Sequence, residues 1–249
     1  MADTDAATAV AHEVAEILGA ELKGRLAAVY LHGSATLGGF RWDVSDLDVL
    51  ALTHRPLADG DLRNIPPKLA ALRYPRSGLE LSIMTVHEAT DVELPAPRYQ
   101  LHHAIGRRHG IGTVVDGRSR DGDPDLVRHL AICRLSSVAL AGPPARDLIT
   151  EIPDGAILEA IRAEVRWAVR QAPLHSLVLT ACRAWLYSED GQFASKQDAG
   201  NWAAQRYPHA SLIRAAVSRQ EGAKGIRINR PAAERLAKHV EEMLAAQSS

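Results

Sequence analysis

The stretch that decides the fold is Leu31-His-Gly-Ser-Ala-Thr-Leu-Gly-Gly-Phe-Arg-Trp-Asp-Val-Ser-Asp-Leu-Asp-Val-Leu50. It joins two apolar runs, residues 27–32 and 47–53, and each run predicts a short buried strand. Gly33 lets the backbone come close to a ligand, and Ser34 adds an N–H and a hydroxyl. A Gly-Ser turn in this position can therefore hold phosphate oxygens.

Acidic residues follow on the predicted strands. Asp46 and Asp48 are two positions apart, so their carboxylates point to the same face. Glu80 lies in a third predicted strand, residues 79–86, and can join them if the two strands are neighbours. Three carboxylates suit a hard divalent cation, and Glu80 can also take a proton from a hydroxyl. Asp-x-Asp alone is often a solvated turn and Glu80 alone an exposed strand residue, but the combination indicates a functional site.

The remaining pattern predicts an α+β fold. Residues 5–22 and 59–73 show helical spacing, and residues 91–125 are a connecting region rich in Pro, Gly and charge. The rest predicts a helical bundle, with helices at 125–140, 156–170, 174–188, 197–206, 210–220 and 230–246. We expect two domains, residues 1–120 and 121–249, with the boundary near residues 115–125. Asp125 opens a predicted helix, where a capping role is expected.

Composition excludes several classes of protein. The 249 residues are 46% hydrophobic and carry 29 basic and 30 acidic side chains, which is globular and nearly neutral. That balance argues against nucleic-acid and membrane-surface partners. No apolar run reaches transmembrane length, and the first residues, acidic and without a basic start, lead us to expect no signal peptide. Cys133 and Cys182 lie in apolar helical stretches, which predicts buried reduced thiols in a cytoplasmic protein. No Cys/His cluster has zinc-ligand spacing, so a zinc site is not expected.

Two sets of motifs resemble one known family. Gly33-Ser34 followed by Ser45-Asp46-Leu47-Asp48 resembles the signature of the polymerase-β-like nucleotidyltransferase superfamily. HGSATLGGF at 32–40, with segments 135–148 and 177–208, resembles the streptomycin/spectinomycin adenylyltransferases. The resemblance implies an N-terminal nucleotidyltransferase domain, a mixed sheet with flanking helices, followed by a C-terminal helical bundle. It also implies a monomeric enzyme that transfers AMP from ATP to a hydroxyl of a small molecule, with pyrophosphate as the other product.

The resemblance also implies roles for single residues. Asp46, Asp48 and Glu80 would bind metal, two Mg²⁺ ions in all, and Glu80 would be the general base. The residues expected to bind ATP are Gly33, Ser34, Ser45, Arg183 and Lys196. ATP would lie in the cleft between the domains, since Arg183 and Lys196 belong to the helical part.

The acceptor expected from the resemblance is an aminoglycoside or aminocyclitol antibiotic such as streptomycin or spectinomycin, whose modification gives resistance. Candidate acceptor contacts are Trp42, Trp167, His175 and Ser176. Two observations favour a neutral or anionic acceptor instead. The stretch 167–176, acidic in the streptomycin enzymes, has no carboxylate here, and residues 98–120 hold many Arg and His but a single acid.

Other functions stay open on the sequence. The acceptor could be another antibiotic, a biosynthetic intermediate or a protein hydroxyl. A sensor that binds nucleotide or drug without turnover would be expected to lack one of the three carboxylates, and none is missing. A nucleic-acid polymerase is disfavoured by the charge balance and by the lack of a basic stripe.

Overall fold

The computed structural model describes residues 2–106 and 112–247. They form two compact units, Met1–Ile152 and Pro153–Ser249. Within the described residues, no helix is long and apolar enough to cross a membrane.

The first unit is built on a mixed six-stranded sheet in the order β5-β4-β3-β2-β1-β6. The strands are β1 (Leu26–His32), β2 (Leu47–Thr53), β3 (Leu79–Thr85), β4 (Leu101–Ile105), β5 (Thr113–Asp116) and β6 (Val138–Ala141). β2 and β3 run parallel, and the other described pairings are antiparallel. The parallel pair places Asp48 opposite Glu80, which fixes the acidic site.

Among the described residues of this unit, five helices accompany the sheet: α1 (Ala2–Leu22), α2 (Asp59–Leu69), α3 (Val86–Thr90), α4 (Asp125–Ser136) and α5 (Ala145–Leu148). Short 3₁₀ turns occupy Lys23–Arg25 and Gly33–Ala35. α1 buries Ala7, Ala11, Val14 and Leu18 completely, in a stripe at helical spacing. This stripe joins the side chains of β1 and β2 in one hydrophobic core.

The start of α2 is fixed by an ion pair. Arg25 donates from both Nη atoms to Asp61, each at 2.7 Å, and Asp61 also accepts from the Ala58 N–H at 2.7 Å. Because the Asp61 carboxylate satisfies a backbone donor that the first helical turn leaves open, it caps the helix. The Arg25 guanidinium accordingly lowers the pKa of Asp61.

The second unit is a helical bundle of α6 (Asp154–Gln171), α7 (Leu174–Asp190), α8 (Lys196–Ala204), α9 (Ala210–Gln220) and α10 (Arg230–Gln247). α7 packs against each of the other four helices and is the centre of the bundle. Its Trp185 makes edge-on contacts with Trp202, Tyr207 and His239 at centroid distances of 5.3, 6.3 and 5.9 Å. Trp185 thus holds a cluster of four aromatic rings on α7.

The α+β prediction, with its helical C-terminal part, is confirmed. The division between the units differs from the expected one near residues 115–125, since it follows Ile152. The reason is that α4 packs on β1 and β6 pairs with β1, so both belong to the sheet unit. The helix expected at 125–140 ends at Ser136 and gives way to β6, and the connecting region contains β4 and β5.

Candidate active site

Three carboxylates meet at the β2–β3 pair. Asp46 precedes β2, Asp48 is its second residue, and Glu80 faces Asp48 in register from β3. One oxygen from each of the three side chains lies within 4.8 Å of the others. The structure therefore brings together the three acids that the sequence predicted to form one site.

The turn before β2 packs tightly on this cluster. Gly33 has φ of +68°, and a Cβ built there would lie 1.9 Å from Asp48 Oδ2. Only glycine combines that backbone conformation with such a close approach. Ser34 Oγ is buried in the same turn and has no hydrogen-bond partner. A buried hydroxyl without a partner is costly unless a ligand pairs with it, which suits a phosphate-binding turn.

The negative charges of the three carboxylates repel one another, and a bound cation would stabilise them. Burial raises the pKa of Asp48 well above its usual value, and the nearby charges of Asp46 and Glu80 raise it further. His129 and Arg128 act in the opposite direction on the same carboxyl. Because a hard divalent cation would relieve this repulsion with oxygen ligands, the donor set fits Mg²⁺.

Sequence reasoning missed three side chains of α4 that lie beside the cluster. Arg128 donates from Nη2 to Asp125 Oδ1 at 2.9 Å, and His129 Nε2 lies 3.2 Å from Asp125 Oδ2. Burial alone would lower the pKa of His129, but Asp125 more than offsets this effect and the pKa rises to about 9. The donor atoms of Glu80, Asp125 and His129 lie within 4.8 Å of one another. α4 thus brings two basic side chains and a further acid to Glu80.

The interpretation of Asp125 as a helix cap is wrong. Its own backbone N–H donates to Asp123 Oδ1 at 2.9 Å, so Asp123 supplies the capping oxygen. The Asp125 side chain points instead to Arg128 and His129, one turn further along the helix. The spacing of Asp125 and His129 was visible in the sequence, but the packing of α4 on β1 was not.

Two predicted loop residues are engaged in the loop itself. Ser45 is buried, and its Oγ accepts a hydrogen bond from the Arg41 N–H at 3.0 Å. The Trp42 side chain is partly buried against the hydrophobic core, and its backbone N–H donates to Asp3 Oδ2 at 3.0 Å. Both residues help to hold the turn that leads into β2. A contact with ATP or with the acceptor stays a prediction for each.

The other predicted residues lie in the second unit. Arg183 on α7 donates from Nη2 to Glu164 on α6 at 2.6 Å. Lys196, the first residue of α8, donates to Ser176 Oγ at 3.2 Å. His175 belongs to the first turn of α7, and Trp167 is 54% exposed on α6. Within the helical unit, Lys196 is hydrogen-bonded to Ser176. Lys196 was expected to bind the ATP phosphates and Ser176 to contact the acceptor.

Part of the basic segment 98–120 forms strands β4 and β5 of the sheet itself. His102 on β4 lies opposite Ser82 of β3, with Nδ1 3.1 Å from Ser82 Oγ. Ser82 shares a strand face with Glu80, since the two are two positions apart. Arg107, Arg108 and His109 lie outside the described residues.

Comparison with known proteins gives a consistent result. Residues 147–246 match the family described as aminoglycoside adenylyltransferase, C-terminal domain. The chain is 26% identical over 204 residues to a spectinomycin 9-adenylyltransferase of Campylobacter jejuni, covering 79% of this chain and 78% of the relative. It is 29% identical over 213 residues to an aminoglycoside (3'') (9) adenylyltransferase of Klebsiella pneumoniae, covering 79% and 78%.

The chain resembles the aminoglycoside and spectinomycin adenylyltransferases over most of its length. Its enzyme class is accordingly nucleotidyltransferase. The adenylyltransferase-like chain also superposes, with a TM-score of 0.74 and 22% identity, on spectinomycin adenyltransferase AAD(9) from Enterococcus faecialis, solved with ATP and spectinomycin. The match covers 94% of this chain and 97% of that one, and it shows the shared fold.

Proposed function

We propose that the protein transfers AMP from ATP to a hydroxyl of an aminoglycoside or aminocyclitol antibiotic, in a Mg²⁺-dependent reaction that gives resistance. The observation that carries the proposal is the cluster of Asp46, Asp48 and Glu80 against the Gly33-Ser34 turn. The relatives that act on aminoglycosides and spectinomycin support the acceptor class. Action as a monomer in the cytoplasm is part of the same proposal.

The three acids of the cluster are the proposed Mg²⁺ ligands. Asp46 and Asp48 would hold Mg²⁺, with Glu80 as a third ligand. Bound Mg²⁺ would neutralise phosphate charge and assist departure of pyrophosphate. The resemblance expects two ions, and the number bound is part of the proposal. The fit rests on the three oxygens within 4.8 Å and on the raised pKa of Asp48.

Glu80 is the proposed base. Its carboxylate takes the proton of the acceptor hydroxyl as that oxygen forms a bond to the α-phosphorus of ATP. The bond from the α-phosphorus to the bridging oxygen breaks, and pyrophosphate leaves with the electron pair. The Ser34 N–H and hydroxyl, together with Arg183 and Lys196, are proposed to bind the triphosphate.

The test is incubation with labelled ATP, Mg²⁺, and spectinomycin or streptomycin, read by mass spectrometry for an AMP-modified product. Asp48→Asn should lower transfer at least about 100-fold, because a metal ligand is lost. Glu80→Gln should lower it about 10²–10⁴-fold while ATP still binds. Asp43→Asn, an exposed acid of the same loop, is the matched control and should transfer AMP normally. Retained turnover by Asp48→Asn would refute the metal role.

A second acceptor class is favoured by the surroundings of Glu80. Arg128 and His129 lie on α4 beside it, and the Ser82–His102 pair lies on its strand face. An ammonium group next to the reacting hydroxyl would be repelled by Arg128, whereas a neutral or anionic group would not. Transfer to neutral or anionic hydroxyl compounds, without transfer to either antibiotic, would establish this alternative.

A further inference from the structure

A second set of metal-ligand types lies beside the acidic cluster. Asp125 and His129 are four residues apart on α4, so both side chains project from one face of that helix. Together with Glu80 they offer two carboxylates and one imidazole, with donor atoms all within 4.8 Å of one another. Nothing in the sequence indicated this set, because Glu80 lies 45 residues before Asp125 and only the packing of α4 on the sheet brings them together.

The imidazole of this set is held in place. His129 packs edge-on against His32 of β1, with ring centroids 5.4 Å apart and planes at 87°. The side chain of His129 is 14% exposed and that of Asp125 is 51% exposed. The contact with His32 restricts the orientation of the His129 ring, and the exposure of Asp125 leaves a route from solvent.

A cationic side chain already lies among these donors. Arg128 Nη2 is 2.9 Å from Asp125 Oδ1 and 3.2 Å from His129 Nε2. Positive charge is therefore stabilised at the position that a metal ion bound to Asp125 and His129 would take. An arriving ion would have to displace both the Arg128 guanidinium and the proton of His129, whose pKa is about 9, so Arg128 and this proton compete with the metal.

We propose that Glu80, Asp125 and His129 form a second cation site, which takes a borderline transition-metal ion such as Zn²⁺ in preference to Mg²⁺. An imidazole nitrogen favours Zn²⁺, whereas Mg²⁺ favours oxygen ligands alone. Zinc bonds to nitrogen and oxygen are about 2.0–2.2 Å long, so side-chain rotations are needed to bring the three donors together. Three protein ligands leave the fourth position of zinc open.

Occupation of this site has a consequence that rests on the proposed function. As a Mg²⁺ ligand Glu80 would use one carboxylate oxygen and keep the other for the hydroxyl proton, whereas a zinc ion shared with Asp125 and His129 would occupy that second oxygen. Zn²⁺ is therefore an inhibitor of Mg²⁺-dependent transfer, and it acts through His129 on α4 and not through Asp46.

The site is tested by calorimetric titration of the metal-free protein with Zn²⁺. His129→Gln and Asp125→Asn should each weaken the tightest binding event at least about tenfold. His12→Gln, which changes an exposed histidine of α1, is the matched control and should bind as the wild type does. Asp46→Asn should also keep the site, because Asp46 belongs only to the Mg²⁺ set. Asp125 is half exposed, so its variant stays informative if the His129 variant does not fold.

Arg128→Gln provides a signature that a purely structural cluster would not give. Removal of the competing guanidinium should tighten Zn²⁺ binding several-fold, about 3- to 10-fold. Unchanged or weaker binding by Arg128→Gln would overturn the proposal, as would full Zn²⁺ binding by His129→Gln or its loss in Asp46→Asn. The titration measures binding without turnover, so it stands even if no AMP transfer is found.

Discussion

Gly33 leaves the space that the Asp48 carboxylate occupies in the candidate active site. Its α-carbon lies against the Asp48 carboxylate, so the absence of a side chain sets where that carboxylate can be. The sequence predicted that Gly33 allows a close approach to a ligand. The structure shows a close approach to Asp48, which no local pattern could indicate because the partner depends on how β1 pairs with β2.

Gly33→Ala should therefore damage the site more than the fold. The added Cβ would lie 1.9 Å from Asp48 Oδ2 and displace the carboxylate, so AMP transfer should fall about 100-fold. Gly38→Ala is a matched control in the same loop, with φ of +81° and nothing within 4 Å of the added Cβ. Both variants incur the backbone strain, but only the first moves Asp48. Equal losses of activity in the two would refute this explanation.

Strand β4 shows what sequence periodicity could not predict. It lies in the region expected to be a connection, and its five residues, Leu-His-His-Ala-Ile, include two histidines and show no clear apolar pattern. Hydrogen bonding to β3 on one side and to β5 on the other stabilises β4 as a strand, and His103 is buried as a result. β6 was missed for a related reason, since Val-Ala-Leu-Ala continues a helical pattern equally well until β1 pairs with it. β1 and β2 could be predicted because each is a largely apolar run, and β3 because apolar and polar residues alternate at its start.

His103 should make stability depend on pH. Burial and the neighbouring His102 lower its pKa to about 4, from 6.5 in the ordinary state. Between pH 4 and 6.5 the unfolded chain binds more protons at this group, so stability should fall as pH falls through this window. The contribution is fully present above pH 6.5 and amounts to at most about 3 kcal/mol.

Thermal unfolding measured from pH 4 to 7 checks this expectation. His103→Gln should flatten the dependence of the melting temperature on pH, whereas His54→Gln, at an exposed histidine, should leave the slope unchanged. A slope that survives in the His103 variant would assign the pH dependence to other groups.

At the scale of the whole molecule, the two units carry one cysteine each. Cys133 lies in α4 of the first unit and Cys182 in α7 of the second, and both are buried free thiols. Burial raises the pKa of each thiol to about 12, so little reactive thiolate exists in the folded protein. The sequence predicted buried reduced thiols. It did not predict their distribution, because α4 was expected to belong to the helical domain.

Thiol labelling should consequently report the opening of each unit. Leu236→Ala removes a fully buried side chain of α10, which packs on α7, and should cost about 2–5 kcal/mol. We expect faster labelling of Cys182 in this variant and an unchanged rate for Cys133, measured by mass spectrometry of peptides. Lys238→Ala, on the same helix but exposed, should alter neither rate. Equal acceleration at both cysteines would mean that the two units unfold in one cooperative step.

The parallel register of β2 and β3 sets how the gene can change in length. Asp48 faces Glu80 only while the two strands keep their alignment, and a shift by one residue turns every side chain to the opposite face. Deletion of a single residue ahead of Glu80 within β3 would turn the Glu80 side chain to the opposite face of the sheet, even if the strand still formed. Codons for residues 70–73, after α2 and largely exposed, carry no such constraint. We therefore expect inherited insertions and deletions to fall in the links between the catalytic strands, while the strands themselves keep their length.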